Sequence, residues 1–527
     1  MATDLRSERR VVVIGAGMGG LVSALLLASA GVQVTLVESA DAPGGKMRQP
    51  LVDGAAIDSG PTVFTMRWVF EQILAAAGGS MADLPALTPL EVLARHAWRG
   101  HAQRLDLFAD RQRSAAAIGE FSGAAEARRF TAFCAQAQQV YQQLEGPYIR
   151  SGRPSLGSMA TQLGPRGLAT LAGLGPFASL WRSLGRHFHD PRLRQLFGRY
   201  ATYTGSSPWQ APATLMLVAQ VELDGVWSVD GGLHAVAQAF AALARRRGAT
   251  LRFATRCERI LVDGGHVSGV RLAGGEVLPA DAVVFNGSPQ ALSDGLLGPA
   301  PVRAVKPLPR AKRSLSALTW SAHVRTEGFP LVRHNVFFDD DYASEFDDIF
   351  QRRQLPSRGT VYVCAQDRDD QAALPTPGRE RLLALVNAPP EGDRRAFDAQ
   401  EIDPCEHRSL ALLRQCGLHL ELTPQQTLRT TPHDFHRLFP ATGGALYGQA
   451  THGWMVSFQR PGGASRLPGL FLAGGGVHPG PGVPMAALSG QRAAETLMAH
   501  LDSISRSRRV ATSGGMSTPS ATTAATP

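Results

Sequence analysis

This 527-residue sequence predicts an α/β fold in which a parallel sheet is assembled from both ends of the chain and an α+β domain is inserted between them. Three observations predict it. Near residue 11 an apolar run meets a glycine-rich turn and then a helical pattern, in VVVIGAGMGGLVSALLLASAGVQVTLVES. An acidic residue, Glu38, closes that unit. Near residue 469 a second glycine-rich turn, in GLFLAGGGVHPGPGVPMAALSG, leads into another helical pattern.

The elements follow in order. The β-branched run Val11–Ile14 suits a strand buried on both faces, and Gly15, Gly17 and Gly20 follow it with GxGxxG spacing. In that spacing the first glycine permits a sharp turn, the second lets backbone amides approach a pyrophosphate, and the third lets the new helix pack closely on the sheet. Leu21–Ala30 predicts the helix, whose free N-terminal amides face the phosphates, and Gly31 ends it. Val32–Val37 predicts a second strand that delivers Glu38 where an acid binds ribose hydroxyls. A lone GxGxxG is a common turn; the acid about 20 residues on, in a strand–helix–strand frame, makes a dinucleotide site the reading.

Residues 43–62, PGGKMRQPLVDGAAIDSGPT, add turns that a plain NAD domain does not require. They resemble the second half of the FAD fingerprint in glutathione-reductase-like and amine-oxidase-like flavoproteins, where the glycine pair and the following basic residue approach the phosphates and ribityl chain. That resemblance implies FAD rather than NAD, with Gly45, Lys46, Gly60, Pro61 and Thr62 as contacts. Lys46 is one of three lysines, with Lys306 and Lys312, and the alternative for it is a solvated surface side chain. At the other end Leu470–Ala473 predicts a strand, Gly474–Gly482 a turn, and Met485–Met498 a helix whose N-terminus points at something electron-rich. In related flavoproteins that helix end lies beside the isoalloxazine. Gly475, Gly476, Pro484, Met485 and Leu488 are the candidates there; a C-terminal packing helix is the alternative.

GPTVFTM at 60–66, DPRLRQLFGRY at 190–200, GSSPWQAPA at 205–213, GVWSVDGGLHAVAQAF at 225–240 and AGGGVHPGPGVP at 473–484 together resemble the bacterial phytoene-desaturase family of carotenoid dehydrogenases. The likeness runs from about residue 9 to about residue 500, and GPTVFTMRWVF looks most like the 1-hydroxycarotenoid 3,4-desaturases. It implies an FAD-binding Rossmann-like domain of the glutathione-reductase/amine-oxidase type with an inserted α+β substrate domain. The FAD-binding domain is expected over 9–105, 225–299 and 441–502, and the substrate and membrane-facing domain over 106–224 and 300–440. Residues 255–285 read as a hairpin-rich return in which the adenine-contacting position, often valine in the family, is Cys257. The implied reaction is desaturation of an acyclic carotenoid, C3–C4 dehydrogenation of a 1-hydroxy or 1-methoxy compound such as 1-hydroxyneurosporene. It proceeds by hydride transfer to flavin N5 with proton loss, and oxygen or a membrane quinone takes the electrons.

Within the substrate domain, residues 106–224 read as mainly helical, with residues 119–144 as the clearest helix. Residues 300–440 mix strand-like runs, Thr360–Cys364 and Arg381–Val386, with helical stretches such as Glu406–Gln415, and predict a mixed sheet with helices on one side. The tail 503–527, rich in Ser, Thr, Ala and Pro without apolar periodicity, is expected to be disordered.

Composition narrows the classes. The five cysteines are scattered and never form a CxxC pair, so no disulfide framework or zinc site is indicated. No secretory signal is visible, and the glycines of the most apolar span, 11–37, fit a dinucleotide turn better than a spanning helix. The formal charge of +9 comes without a basic patch interleaved with aromatics, so nucleic acid is not expected. An anionic membrane surface, on its cytoplasmic side, is expected instead. Residues 165–189 combine Leu, Phe and Trp with Arg166, Arg182 and Arg186, as an interfacial segment or as a core helix with solvated arginines.

No catalytic residue is assigned. Glu145, Glu222 and Asp224 are candidates for a base, each otherwise a solvated or paired carboxylate. His433, His436, His452 and His478 show no ligand set, so no metal is expected; His478 stands out because it lies in the C-terminal turn. Two other classes share the fold: an amine-oxidase-like flavoenzyme, whose aromatic cage has no counterpart in Gly480-Pro481-Gly482, and a flavin-free lipid escort protein, which intact flavin turns argue against.

Overall fold

The computed structural model describes residues 9–513 except 153, 174–177, 371 and 374–377. Strand propensity and burial place Arg10–Ile14 at the centre of a five-stranded sheet, in the order Leu470–Leu472, Ala282–Phe285, Arg10–Ile14, Gln33–Val37, Thr250–Arg252. Every pairing is parallel, as buried Val-rich runs require. Ile14 lies opposite Val37 and Phe285, and Phe285 opposite Leu472, so the carboxyl ends coincide and the turns that follow share one edge. That edge is where ligands bind in open parallel sheets.

The helix Met18–Ser29 follows the first turn. Ten of its twelve residues are buried, an apolar surface all round that suits an interior helix. It packs against the helices Leu233–Arg246 and Val483–Ser513. Where it meets the latter, a Cβ on Gly490 would lie 2.2 Å from the Gly19 carbonyl oxygen, and the Ser23 hydroxyl is 2.9 Å from the carbonyl oxygens of both Gly19 and Gly490. Glycine at the crossing therefore lets the two chain ends approach backbone to backbone. Residues 255–285 return through the antiparallel strands Cys257–Asp263, His266–Leu272 and Val277–Pro279 before the sheet strand Ala282–Phe285.

The inserted part is built on a seven-stranded mixed sheet, in the order Thr427–Thr430, Ser316–Val324, Glu380–Ala388, Val361–Ala365, His334–Phe338, Val92–Trp98, Arg104–Phe108. Of the last two strands, Val92–Trp98 lies within 9–105, the span expected to belong to the first domain, and Arg104–Phe108 straddles its end, yet both pair into this second sheet. Helices cover both faces, not one. Alternate side chains of His334–Phe338 explain it: Val336 and Phe338 join a core with Phe130, Phe133 and Phe197, while Phe337 joins a core with Leu412 and Leu413 on the opposite face.

Two helical expectations change. The stretch 119–144 is divided at Gly123, whose φ of +92° separates Arg111–Ser122 from Ala124–Leu144. The C-terminal helix runs to Ser513, so residues 503–513, expected in a disordered tail, are helical. No glycine or proline interrupts that stretch before Gly514. Residues 514–527 lie outside the described residues.

Candidate functional site

The first glycine turn is a floor of bare backbone. Gly15, with φ +99°, donates its N–H to the Val37 carbonyl at 2.8 Å. A Cβ on Gly20 would stand 2.0 Å from the Gly15 carbonyl oxygen, and one on Gly17 would stand 2.9 Å from Asn286 Nδ2. Glu38, half-buried at the end of its strand, accepts from Ala16 N–H at 2.6 Å through Oε2 and from Ala40 N–H at 2.8 Å through Oε1. Each carboxylate oxygen keeps accepting capacity beyond those bonds. The 44–45 glycine pair lies on the same floor. Gly44 N–H donates to the Ala16 carbonyl at 2.9 Å, and the Cβ position of Gly45 is 3.2 Å from Gly17 Cα.

Lys46 and Gly60 are joined by contact. A Cβ on Gly60 would fall 1.8 Å from the Lys46 carbonyl oxygen. The Lys46 ammonium donates to the Leu446 carbonyl and sits 5.5 Å from the centre of the Phe439 ring; burial lowers its pKa to about 8. It is thus an inward-facing lysine, not a solvated one.

Two residues that sequence reasoning missed complete this edge. Asn286, just after the strand Ala282–Phe285, donates Nδ2 to the Gly15 carbonyl at 3.2 Å, while its Oδ1 is buried without a partner. It stands within 3.0 Å of the Cβ positions of Gly17, Gly19 and Gly474. Arg460, 8% exposed, donates to the Tyr447, Gly475 and Gln449 carbonyls and ties the C-terminal turn to residues 447–449. A lone Asn or Arg carries no local pattern, so neither was visible before its distant partners were known.

At the C-terminal turn, a Cβ on Gly476 would stand 2.8 Å from Pro289 Cδ, and Gly475 faces Pro481. The following helix opens at Val483, which puts Pro484 and Met485 in its first turn. Leu488 is 1% exposed and packs in the core around the first helix, away from any open wall. Cys257 is buried with Val12, Ile14 and Val37; burial pushes its thiol up to about 11, so it stays neutral.

These turns fit a dinucleotide cofactor: glycines that a side chain would fill, amides at a helix start, a carboxylate at the second strand's end, and an orphaned buried amide oxygen over the floor.

A cavity of about 700 Å³ opens beside them. Its wall includes Gly60, Pro61 and Thr62 from the N-terminal segment and Pro481 to Met485 from the C-terminal one. The remainder comes mostly from apolar side chains of the inserted domain, among them Leu144, Met159, Leu163, Leu215, Val221, Val336 and Leu385. Such a volume suits a small-molecule site of the usual apolar kind.

Of the three carboxylate candidates, Glu222 alone lines this cavity; its oxygens accept from Tyr200 at 2.7 Å and Tyr203 at 2.9 Å, and burial raises its pKa. Glu145 pairs with Arg150 at 2.8 Å, and Asp224 is exposed and bonded to Gln220. The histidines have structural duties. His478 Nε2 lies 3.1 Å and 3.0 Å from the Tyr148 and Ser151 carbonyls, and burial lowers its pKa to about 4, so it clips the C-terminal turn to residues 148–151 as a neutral ring. His433 bonds the Gly392 carbonyl, His436 accepts from Gly443 N–H, and His452 accepts from Ser207 N–H. His433 and His436 sit on a true helix, Pro432–Leu438, capped by Thr431. Among the described residues no group of three metal-ligating side chains occurs.

The segment 165–189 divides. In its second part, the helix Leu180–His187, Leu180, Leu184 and the following Phe188 are 0% exposed in the inserted domain's core, which favours the core-helix reading there. Residues 174–177 within it lie outside the described residues. No described helix is long and apolar enough to cross a membrane.

The geometry now meets known proteins. A model of the flavin containing amine oxidoreductase family matches residues 165–498, and one of the NAD(P)-binding Rossmann-like domain matches residues 13–75. The chain belongs to the flavin containing amine oxidoreductase family and is an FAD-dependent oxidoreductase. Its relatives within that family include carotenoid desaturases. It is 68% identical over 523 residues to the hydroxyneurosporene desaturase of Rubrivivax gelatinosus, covering 99% of each chain. It is 46% identical over 500 residues to the hydroxyneurosporene desaturase of Cereibacter sphaeroides, covering 94% of this chain and 99% of the other. An oxidoreductase structure from Methanosarcina mazei superposes with a TM-score of 0.57 at 16% identity, over 92% of this chain and all of the other, a likeness of fold.

Proposed function

We propose that the protein removes two hydrogens across the C3–C4 bond of a 1-hydroxycarotenoid such as 1-hydroxyneurosporene, with the 1-methoxy compound as a close second substrate. The observation that carries the reading is the apolar cavity whose wall contains Gly60, Pro61 and Thr62 of the second N-terminal turn and Pro481 to Met485 of the C-terminal one. The choice of polyene rests on the hydroxyneurosporene desaturases of Rubrivivax and Cereibacter.

Bound FAD supplies a two-electron acceptor for hydride. The protein's own work is positioning. Gly17 and Gly45 would offer backbone to the pyrophosphate, with Gly15 making the turn and Gly20 the close helix packing that the floor needs; Glu38 would offer carboxylate oxygens to ribose, and the helix start at Val483 to Met485 would face the ring end. Apolar walls exclude water and hold a hydrocarbon that has few polar handles. Positive charge left by hydride loss spreads along the polyene and acidifies the neighbouring C–H, so its proton needs no dedicated base and passes to solvent at the open side of the cavity. Oxygen or a membrane quinone completes the cycle.

The substrate lives in lipid, and the cavity mouth suits peripheral docking. Trp454, 40% exposed, lines the same cavity as Met159, Ala160 and Leu163 of the helix Leu156–Gly173. An amphipathic aromatic at such a rim belongs at a membrane interface. The test is incubation of the holoprotein with liposomes carrying 1-hydroxyneurosporene. A red-shifted product lighter by two hydrogens supports the reading; flavin binding with turnover of a different polyene alone would make it a sister desaturase.

A further inference from the structure

A polar cluster interrupts the apolar cavity wall. His334 is 2% exposed and lines the cavity; its Nδ1 lies 2.7 Å from the Tyr362 hydroxyl, and its Nε2 is buried without a partner. The same Tyr362 hydroxyl lies 2.7 Å from Thr62 Oγ1, so the chain of bonds starts at the flavin-side turn. Arg199 lies across the Tyr362 ring at 5.1 Å and the Tyr203 ring at 5.5 Å, and donates to the Tyr203 hydroxyl at 3.3 Å. Its charge is met by ring faces, the Tyr203 phenol and the nearby buried carboxylates of Glu222 and Glu345, and its remaining N–H groups have no protein hydrogen bond in the cavity wall among the described residues.

Burying an imidazole nitrogen without a partner, beside guanidinium N–H groups that lack a hydrogen-bond acceptor, is costly unless a ligand satisfies them. A pure hydrocarbon cannot. Burial and the neighbouring Arg333 and Arg199 lower the His334 pKa to about 3, so the ring is neutral and Nε2 is one donor or one acceptor. A hydroxyl serves either tautomer, whereas an ether oxygen only accepts. The location fits too: the carbinol carbon C1 is separated from the C3–C4 bond by a single carbon, so its anchor must lie close to the flavin side, where Thr62 begins.

Resting on the desaturase reading above, we propose that His334, Tyr362 and Arg199, tied to Thr62, receive the tertiary hydroxyl of the substrate and set the C3–C4 bond in register with the cofactor. These are positioning residues. Their test compares the holoenzyme with His334→Phe, Arg199→Met and Tyr362→Phe, using 1-hydroxyneurosporene and the same polyene without its hydroxyl in liposomes. The readouts are Kd from perturbation of the flavin spectrum and the position of the new double bond.

The wild type is expected to favour the hydroxylated polyene at least about tenfold in Kd, the worth of one buried hydrogen bond. Each variant that retains flavin is expected to bring that ratio within about twofold of unity and to scatter the desaturation site. If His334→Phe sheds its flavin, Tyr362→Phe, which keeps the ring, decides. Variants that hold the wild-type ratio overturn the proposal. A wild type that desaturates both polyenes without preference overturns it while the desaturase reading stands; a wild type that binds neither overturns both.

Discussion

An added methyl at Gly20 would meet the Gly15 carbonyl oxygen at 2.0 Å, a backbone atom that cannot swing aside. Gly20→Ala is therefore expected to yield protein with little bound flavin, checked by flavin-to-protein absorbance after incubation with FAD. Glu38→Gln keeps the shape and weakens the bonds to Ala16 and Ala40; FAD affinity should fall about tenfold, measurable by fluorescence quenching. Lys46 makes a prediction in pH. Its folded pKa, about 8, lies below its ordinary value of 10.5, so between those values the unfolded chain holds a proton that the folded apoprotein lacks. Stability then rises with pH across that window, and the full cost of the charged form is present below 8. Water still reaches part of the side chain, which limits the gain to about 1–2 kcal/mol. The urea midpoint of the apoprotein should rise over that window relative to Lys46→Met; parallel curves would contradict it. The glycines and Glu38 were legible because spacing alone reports a turn and an acid at the next strand's end. Asn286, Arg199 and His334 were not: Gly15 for Asn286 and Tyr362 for His334 are far away in sequence, and Arg199, though bonded to Tyr203 four residues on, joins the cluster only through the ring of the distant Tyr362.

The crossing of the helices Met18–Ser29 and Val483–Ser513 is the element on which the site depends, because it brings the two flavin turns to one edge. Gly490→Val would place a branched side chain where a Cβ already meets the Gly19 carbonyl at 2.2 Å. Overpacking of this kind costs about 1–3 kcal/mol, and the displacement should also lower FAD affinity. Thermal unfolding with and without FAD checks both effects; Ser23→Ala at the same crossing should cost only about 1 kcal/mol. The N-terminal strand–helix–strand unit could be read within three residues at every boundary because its apolar run and glycines are contiguous. The strands Val92–Trp98 and Arg104–Phe108 could not be assigned to their sheet, since pairing with His334–Phe338 spans more than two hundred residues and leaves no local mark. Both-sided burial of that sheet was hidden because its strands bury polar residues, such as His334 and Asn335, so the unbroken apolar run that marks a strand covered on two faces is missing.

On the proposed reading the whole molecule couples an aqueous-phase cofactor to a lipid-phase substrate, with the cavity as the junction. Its wall takes residues from the turn at Gly60–Thr62, the inserted domain and the C-terminal turn, which explains why the fold could be named from two sequence signatures while the cavity could not be drawn. The net charge of +9 and the exposed Trp454 at the cavity predict that the protein floats with anionic liposomes and dissociates at high salt, with Trp454→Ala weakening the association severalfold. The central claim, desaturation coupled to flavin reduction, is tested most directly by an anaerobic single turnover of the holoprotein with 1-hydroxyneurosporene. Bleaching of the flavin in equal proportion to a product lighter by two hydrogens and unsaturated at C3–C4 is the result expected. Flavin that stays oxidised while the bound polyene remains unchanged would contradict the account.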